Sequence, residues 1–546
     1  MRAKVGVSIH RAPDGPGSAR VASGWVPYAD NAVAFVAAAV ALMAVGIYVR
    51  TMLPSTGFWD TGEAQTVPPT LSIFHPTGFP TYEIIGWLWT RLPVGEVAWR
   101  MNLLSAVSVA LAAAFVTLTA GHLIEVRSRA LRAVAAGIAG AAFAFASEPW
   151  ENGGRADVHA VNILFVALVV WLLLTWRAAE RSGSPRAGAW LVGAAGAFGL
   201  GLAVHPLVGL LAFGIAAWLF VVDSGIWRRW RLIAACALAL AIGVVGPYAF
   251  LWVRAISDPE PPLFYARPDT WDRFRYLVFA EQFSGLFSDF RAPLADLGDK
   301  WSDAERVLSA QFVPPGWLLA AGGAAIVAAR SFGTFVVLLL IVVFNILYSM
   351  NFRDGDIDRY YMPTIAILAP LIGVALAAIG AACAQAAAEV GRRLTASAGV
   401  RRRLAGLAGG LVLALGALMP TASLVAGYRA HDESDDRSAD AWVASVHELL
   451  PPNSVIVSWW SYSTALWHHR WVLGQRPDIT IIDERDILDD GYRTMNNAIR
   501  AYFGQRPVYV VLPDWERRAV TERWELSTIA THPGFTRLLL VEGPRS

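Results

Sequence analysis

The chain has 546 residues, 55% of them apolar and 16% charged, with 45 basic against 43 acidic side chains. A mean hydropathy of +0.45 over that length takes it out of the water-soluble class and into a bilayer. The balanced charge, with arginines clustered in short segments, excludes a nucleic-acid surface, and two cysteines inside apolar runs, Cys236 and Cys383, leave neither a disulfide framework nor a zinc site.

Residues 1–28 mix Arg2, Lys4, Arg11 and Arg20 with Gly and Pro and read as a cytoplasmic tail, so the first apolar run is a retained anchor. Runs near the roughly 20 residues needed to cross hydrocarbon follow at 31–51, 101–124, 133–149, 158–176, 188–204, 207–223, 232–253, 317–330, 334–350, 361–383 and 404–426. The expected fold is mainly α: a polytopic membrane domain over 29–427 with about eleven transmembrane helices, then a small C-terminal α/β domain over 428–546.

Basic loops stay in the cytoplasm. Arg127, Arg129 and Arg132 mark one, Arg177, Arg181 and Arg186 the next, Arg228, Arg229 and Arg231 a third, and Arg392 to Arg403 the last. The connections between them, 53–99, 150–157, 254–316 and 351–360, hold the acids, Trp and Pro and face outward, with an inside N-terminus and an outside C-terminus. Within the first, Tyr82 to Leu92 is apolar and Trp-rich but too short to span, which predicts a helix lying at the interface. In the tail, SVIVSWW, DITIID and VYVVLP alternate with helix-like stretches and predict a parallel sheet without a nucleotide-phosphate loop.

Chemistry concentrates in the outer segments. Asp60 and Glu63 follow the first helix at a spacing that puts both carboxylates on one helical face, the plainer reading being a solvated helix end. His75 stands in a stiff Pro/Gly turn, FHPTGFP, and Glu148, Glu151, Arg155, Asp157 and His159 crowd the second segment. Arg254, and Arg359 with Tyr360, offer guanidinium forks suited to phosphate oxygens, against a bland alternative of snorkelling and interfacial anchoring. His205, before Pro206, either faces a cavity or caps a helix. No cofactor is demanded; one divalent metal ion on Asp60, Glu63 and a further outer acid is compatible with these residues.

The motifs W-D-T-G-E (59–63), H-P-T-G-F-P (75–80) and A-W-R-M-N-L-L-S-A (98–106), which includes Arg100, resemble a bacterial family of multi-spanning membrane glycosyltransferases. That family is related to the animal transmembrane O-mannosyltransferase of plexin-type receptors, in the clan of protein O-mannosyltransferases and oligosaccharyltransferases. The likeness continues in W-E-N-G-G-R-A-D-V-H-A-V-N (150–162), G-L-A-V-H-P (201–206), Y-A-F-L-W-V-R-A (248–255), P-D-T-W-D-R-F (268–274) and G-Q-R-P-D-I-T-I-I-D (474–483).

The resemblance implies a polyprenyl-phosphate-linked sugar as donor, a protein or glycan hydroxyl as acceptor, and inverting transfer at the outer face of a bacterial inner membrane. It makes Asp60 the expected base, with Glu63 beside it and His75 in the same loop; from their own chemistry and position, Arg100, Arg155, Asp157, His159, His205, Arg254, Arg359 and Tyr360 are expected with His75 to bind substrate. Two departures stand out: the acids are separated by Thr61 and Gly62 rather than adjacent, leaving open which is the base, and Asp157-Val158-His159 replaces an expected Glu-Val-Tyr. Two other classes compete. A flippase or transporter for the same lipid would place ionisable residues near mid-bilayer, and a scaffold would use the tail to bind a partner.

Overall fold

The computed structural model describes residues 30–222, 224–287, 296–352, 355–394, 397–483, 491–531 and 537–545. The expected tail 1–28 and residues 288–295 and 353–354 of the outer segments lie outside these. The first helix, α1 (Asn31–Thr51), opens where the Asp30 carboxylate accepts the Ala32 amide. It is followed by α2 (Trp59–Thr70), α3 (Pro80–Trp89), α4 (Val97–Leu123), α5 (Arg129–Ala144), α6 (Ser147–Gly154), α7 (Val158–Arg181), α8 (Ala187–Leu202), α9 (Leu211–Val222) and α10 (Trp230–Ala255). Then come α11 (Trp271–Val278), α12 (Leu297–Ser309), α13 (Pro314–Arg330), α14 (Phe332–Asn351), α15 (Met362–Leu394) and α16 (Ala398–Gly427).

Nine of the eleven expected apolar runs fall on single helices, whereas 133–149 is broken between α5 and α6 and 207–223 begins on a short turn, Pro206–Leu210, before α9; the chain is a multi-pass membrane protein. Among the described residues seven helices are long and apolar enough to span, or up to nine if two bent pairs, α5 with α6 (63°) and α12 with α13 (102°), each count once. α8 and the stretch Pro206–Val222 are apolar but shorter. Close helix packing depends on absent side chains: a Cβ at Gly323 of α13 would run into the Leu371 carbonyl of α15, and one at Gly243 of α10 would lie 2.8 Å from the Leu200 nitrogen of α8.

The first outer segment is more ordered than a loop. It folds into α2 and α3, and α3 buries Tyr82 and Glu83 on one face while Leu88 stands 58% exposed on the other. Beyond α16 the tail forms α17 (Ser438–Leu449), β1 (Val455–Ser458), α18 (Trp460–Trp467), β2 (Thr480–Ile482), α19 (Met495–Tyr502), β3 (Val508–Val511), α20 (Asp514–Thr521), β4 (Trp524–Thr531) and β5 (Arg537–Pro544). The sheet order is β2-β1-β3-β5-β4. The three expected strands pair in parallel, but the sheet as a whole is mixed, since β5 runs antiparallel to both β3 and β4. Only five residues separate β4 from β5, too few for the crossover a parallel pair requires.

Candidate active site

The acid-bearing segments are held in place by two side chains from α4, Asn102 and Ser105. Asn102 donates to the Leu53 carbonyl (2.7 Å), while its Oδ1 accepts from the Ala156 amide and from Gln65 Nε2 (both 2.9 Å). Gln65 also donates to the Ser55 carbonyl and accepts from the Gly57 amide. One turn on from Asn102, the Ser105 hydroxyl accepts from the Asp157 amide at 3.0 Å. The chain before α2 and the chain before α7 are thereby fixed to the same helix, and fully buried polar groups so satisfied lock a single geometry.

That geometry brings Asp60 and Asp157 to one guanidinium. Arg359, on a short turn between α14 and α15, donates from Nη2 to Asp60 Oδ2 (2.6 Å) and from Nη1 to Asp157 Oδ2 (2.8 Å), with 14% of its side chain exposed. Burial works against the charge on Asp60, but Arg359, His75 and Arg155 together outweigh it and hold the carboxyl below its ordinary range. For Asp157 the balance reverses: burial raises the carboxyl above its ordinary range although Arg359 opposes it. Asp157 also caps α7 by accepting the His159 amide at 2.6 Å.

One turn along α2, Glu63 is completely buried and committed to His75. Its Oε1 accepts the His75 amide at 3.1 Å and its Oε2 lies 2.5 Å from the ring Nδ1. Asp60, with 23% of its side chain exposed, is the more accessible acid of the two. Ligand atoms of Asp60, Glu63 and His75 lie within 4.8 Å of one another, close enough to share one divalent cation.

An aromatic wall closes the other side. His205 stacks on Phe79 at 5.6 Å and sits 4.5 Å from the His159 ring, which lies 4.8 Å from Tyr360. His205 both caps and faces this cluster: its Nδ1 accepts the Leu207 amide, and burial first, then Arg359 and His75, push its pKa down to about 3, so the ring is neutral. Of the remaining expected residues, Arg155 pairs with Glu151, both more than a third exposed. Arg100 reaches the Leu92 carbonyl (2.5 Å) and Arg254 the Leu71 and Pro259 carbonyls (2.8 and 2.9 Å), so these two tie loops together.

Sequence reasoning missed Asn102, Ser105 and Gln65, whose small polar side chains carry no signal until their partners are known. It also missed the contribution of the tail. Trp460 of α18 lies 5.7 Å from the His75 ring and 6.1 Å from Trp59. A Cβ on Gly62 would stand 2.8 Å from Thr464 Oγ1, so the glycine between the two acids is what lets α18 press against α2.

Residues 60–230 match the family described as the protein O-mannosyl-transferase TMEM260 N-terminal domain. The expected kinship with that glycosyltransferase family is borne out. The chain is 25% identical over 496 residues to protein O-mannosyl-transferase TMEM260 of Mus musculus, covering 86% of this chain but 65% of the mouse protein. The Dictyostelium discoideum protein of the same name matches at 25% over 129 residues, 23% of this chain and 15% of its own length. Among solved structures, ArnT from Cupriavidus metallidurans bound to undecaprenyl phosphate superposes with a TM-score of 0.53 at 18% identity, over 95% of this chain and 98% of ArnT. The Archaeoglobus fulgidus oligosaccharyltransferase tethered to an acceptor peptide does so with 0.51 at 13%, over 93% and 76%. At such identities these structures share the fold.

Proposed function

We propose that this chain is a membrane glycosyltransferase that moves a sugar from a polyprenyl-phosphate donor to a protein or glycan hydroxyl at the extracytoplasmic face of a bacterial cell membrane. The TMEM260 relatives, named as protein O-mannosyl-transferases, favour mannose. In this reading the two short apolar helices and the two bent pairs complete about eleven crossings, the N-terminus is cytoplasmic, and residues 428–546 form an outer domain against the site.

The observation that carries the proposal is the placement of Asp60: ionised, partly exposed, and locked beside Asp157 by one buried arginine at the foot of α2. The acceptor hydroxyl attacks the anomeric carbon from the face opposite the phosphate. The carbon–oxygen bond to phosphate breaks, its electron pair leaves with the polyprenyl phosphate, and the hydroxyl proton passes to Asp60. A carboxylate paired with Arg359 is a weak base, so this proton moves late, as the developing bond acidifies it. Arg155, partnered by an equally exposed Glu151, is the accessible cation for the departing phosphate. Glu63 orients His75 rather than receiving the proton.

Purified protein in nanodiscs, given polyprenyl-phosphate-linked labelled mannose and a Ser/Thr-rich peptide, should label the peptide. Asp60→Asn should lower that rate by about 10²- to 10⁴-fold in a protein that still folds. Full turnover in both Asp60→Asn and Glu63→Gln would remove the site. Movement of the lipid across vesicles without transfer would favour the flippase instead.

A further inference from the structure

The end of the bundle remote from Asp60 holds a hollow that the transfer reaction does not use. α7 starts at the site, next to Asp157, and runs 24 residues to Arg181, which at about 1.5 Å per residue is close to a full bilayer crossing. Near that far end α7, α8, α9 and α10 part around a cavity of about 340 Å³. Its walls are apolar, with Leu173, Phe198, Leu219 and Leu232 around it, and it exists because Ala194 and Ala216 stand where larger side chains would fill the gap.

One turn further along α7 and α9 a second hollow, of about 290 Å³, is bounded by Arg177, Glu180, Arg181, Val221 and Val222. The acid there is already matched: Glu180 takes Arg229 at 2.7 Å and the Trp176 indole N–H at 3.1 Å. Arg177 is fixed by Ser331, Thr334 and the Trp218 face. Arg181 is exposed at the rim, and Arg228 and Arg231 lie on the adjoining turn. Trp227 and Trp230, 60% and 67% exposed, mark this level as a membrane–water boundary.

We infer that the paired hollows form a binding site for an anionic glycerophospholipid, with an acyl chain in the apolar cavity and the headgroup phosphate at Arg181. An apolar slot one helical turn from a cationic pocket, both against α7 and α9, matches the two halves of such a lipid, and the excess positive charge selects against a zwitterionic one. The site lies a membrane's thickness from Asp60, so it is separate from the donor site proposed above and does not rest on that reading.

The test is lipid retention by the full chain, purified and exchanged into mixed phosphatidylglycerol–phosphatidylcholine nanodiscs, then released and read by native mass spectrometry. The wild type should carry phosphatidylglycerol in preference to phosphatidylcholine. Arg181→Gln should cut that preference about fivefold, and Ala194→Leu, which fills the slot without touching charge, should lower retained lipid of both kinds. Ala216→Leu serves the same purpose if Ala194→Leu unfolds, and Asp60→Asn should retain lipid as the wild type does. Equal retention of the two lipids by the wild type, wild-type retention in both the charge and the filling variants, or preferential capture of added polyprenyl phosphate would each overturn the assignment.

Discussion

The acid cluster at Asp60 and the neighbouring helix α3 treat buried polarity in opposite ways. Around Arg359 two carboxylates meet one guanidinium, Glu63 meets His75, and the backbone on either side is tied to Asn102 and Ser105. In α3, both carboxyl oxygens of Glu83 and the hydroxyl of Tyr82 are buried without a hydrogen-bond partner among the described residues. One region matches its acids with a guanidinium, which holds Asp60 below its ordinary range though burial still lifts Asp157, and the other has no such match: burial raises the Glu83 carboxyl well above its ordinary range against the weaker pull of Arg254. A site whose acids are paired thus stands against one whose acid is not.

The sharpest way to break this contrast is to strip the matched region of its cation. Arg359→Met leaves Asp60 and Asp157 facing each other without the guanidinium they share, and should cost roughly 3–5 kcal/mol of stability together with all measurable transfer. Adding Asp60→Asn and Asp157→Asn to that variant should restore the unfolding temperature but not turnover, which separates folding from chemistry. Asp60→Asn alone should lose about 10²- to 10⁴-fold in rate while keeping the fold. Asn102→Ala, which removes only the tie between the two acid-bearing segments, should cost about 1–3 kcal/mol, and its rate should fall further than that of an equally destabilised variant in the apolar bundle. An Asn102→Ala protein with a wild-type rate would show that the Asp60–Asp157 geometry does not depend on α4.

Much of this contrast was open to the sequence on one side and closed on the other. Apolar runs announce spans because hydrocarbon tolerates little else, so most membrane helices could be placed, though the polar end of α15 to Leu394 and the break between α5 and α6 could not, and the alternation of Arg-rich and acidic connections separated the end with Asp60 from the end with Arg181. Asp60, Asp157, Arg359 and the three histidines, His75, His159 and His205, stood out because ionisable groups beside spans are costly. Their pairing across 299 residues, Asp60 with Arg359, lay beyond any local pattern. Glu83 was hidden for the opposite reason: within YEIIGWLWTRL it looks like the polar edge of an interfacial helix, and only the packing of α2, α4 and α10 around α3 turns it inward. The closing β-hairpin escaped because WELSTIAT alternates weakly, and with it the mixed character of the sheet.

The smallest expected effect tests the neutral side. With its folded pKa above the unfolded value of 4.5, Glu83 binds its proton more tightly in the native state. As pH rises through 4.5 the unfolded chain releases that proton while the folded chain keeps it, so the group draws stability down with rising pH until it ionises in place. Glu83→Gln is neutral in both states and removes this slope. Unfolding temperatures should therefore coincide for wild type and variant near pH 4 and diverge above it, the variant becoming the more stable by up to ~1.4 kcal/mol per pH unit. Transfer at neutral pH should stay within about twofold of wild type, a change under roughly 0.5 kcal/mol, because a neutral amide replaces a neutral acid. Parallel stability profiles would mean that Glu83 is charged in the fold and that Arg254 is its true partner, making α3 a second matched region.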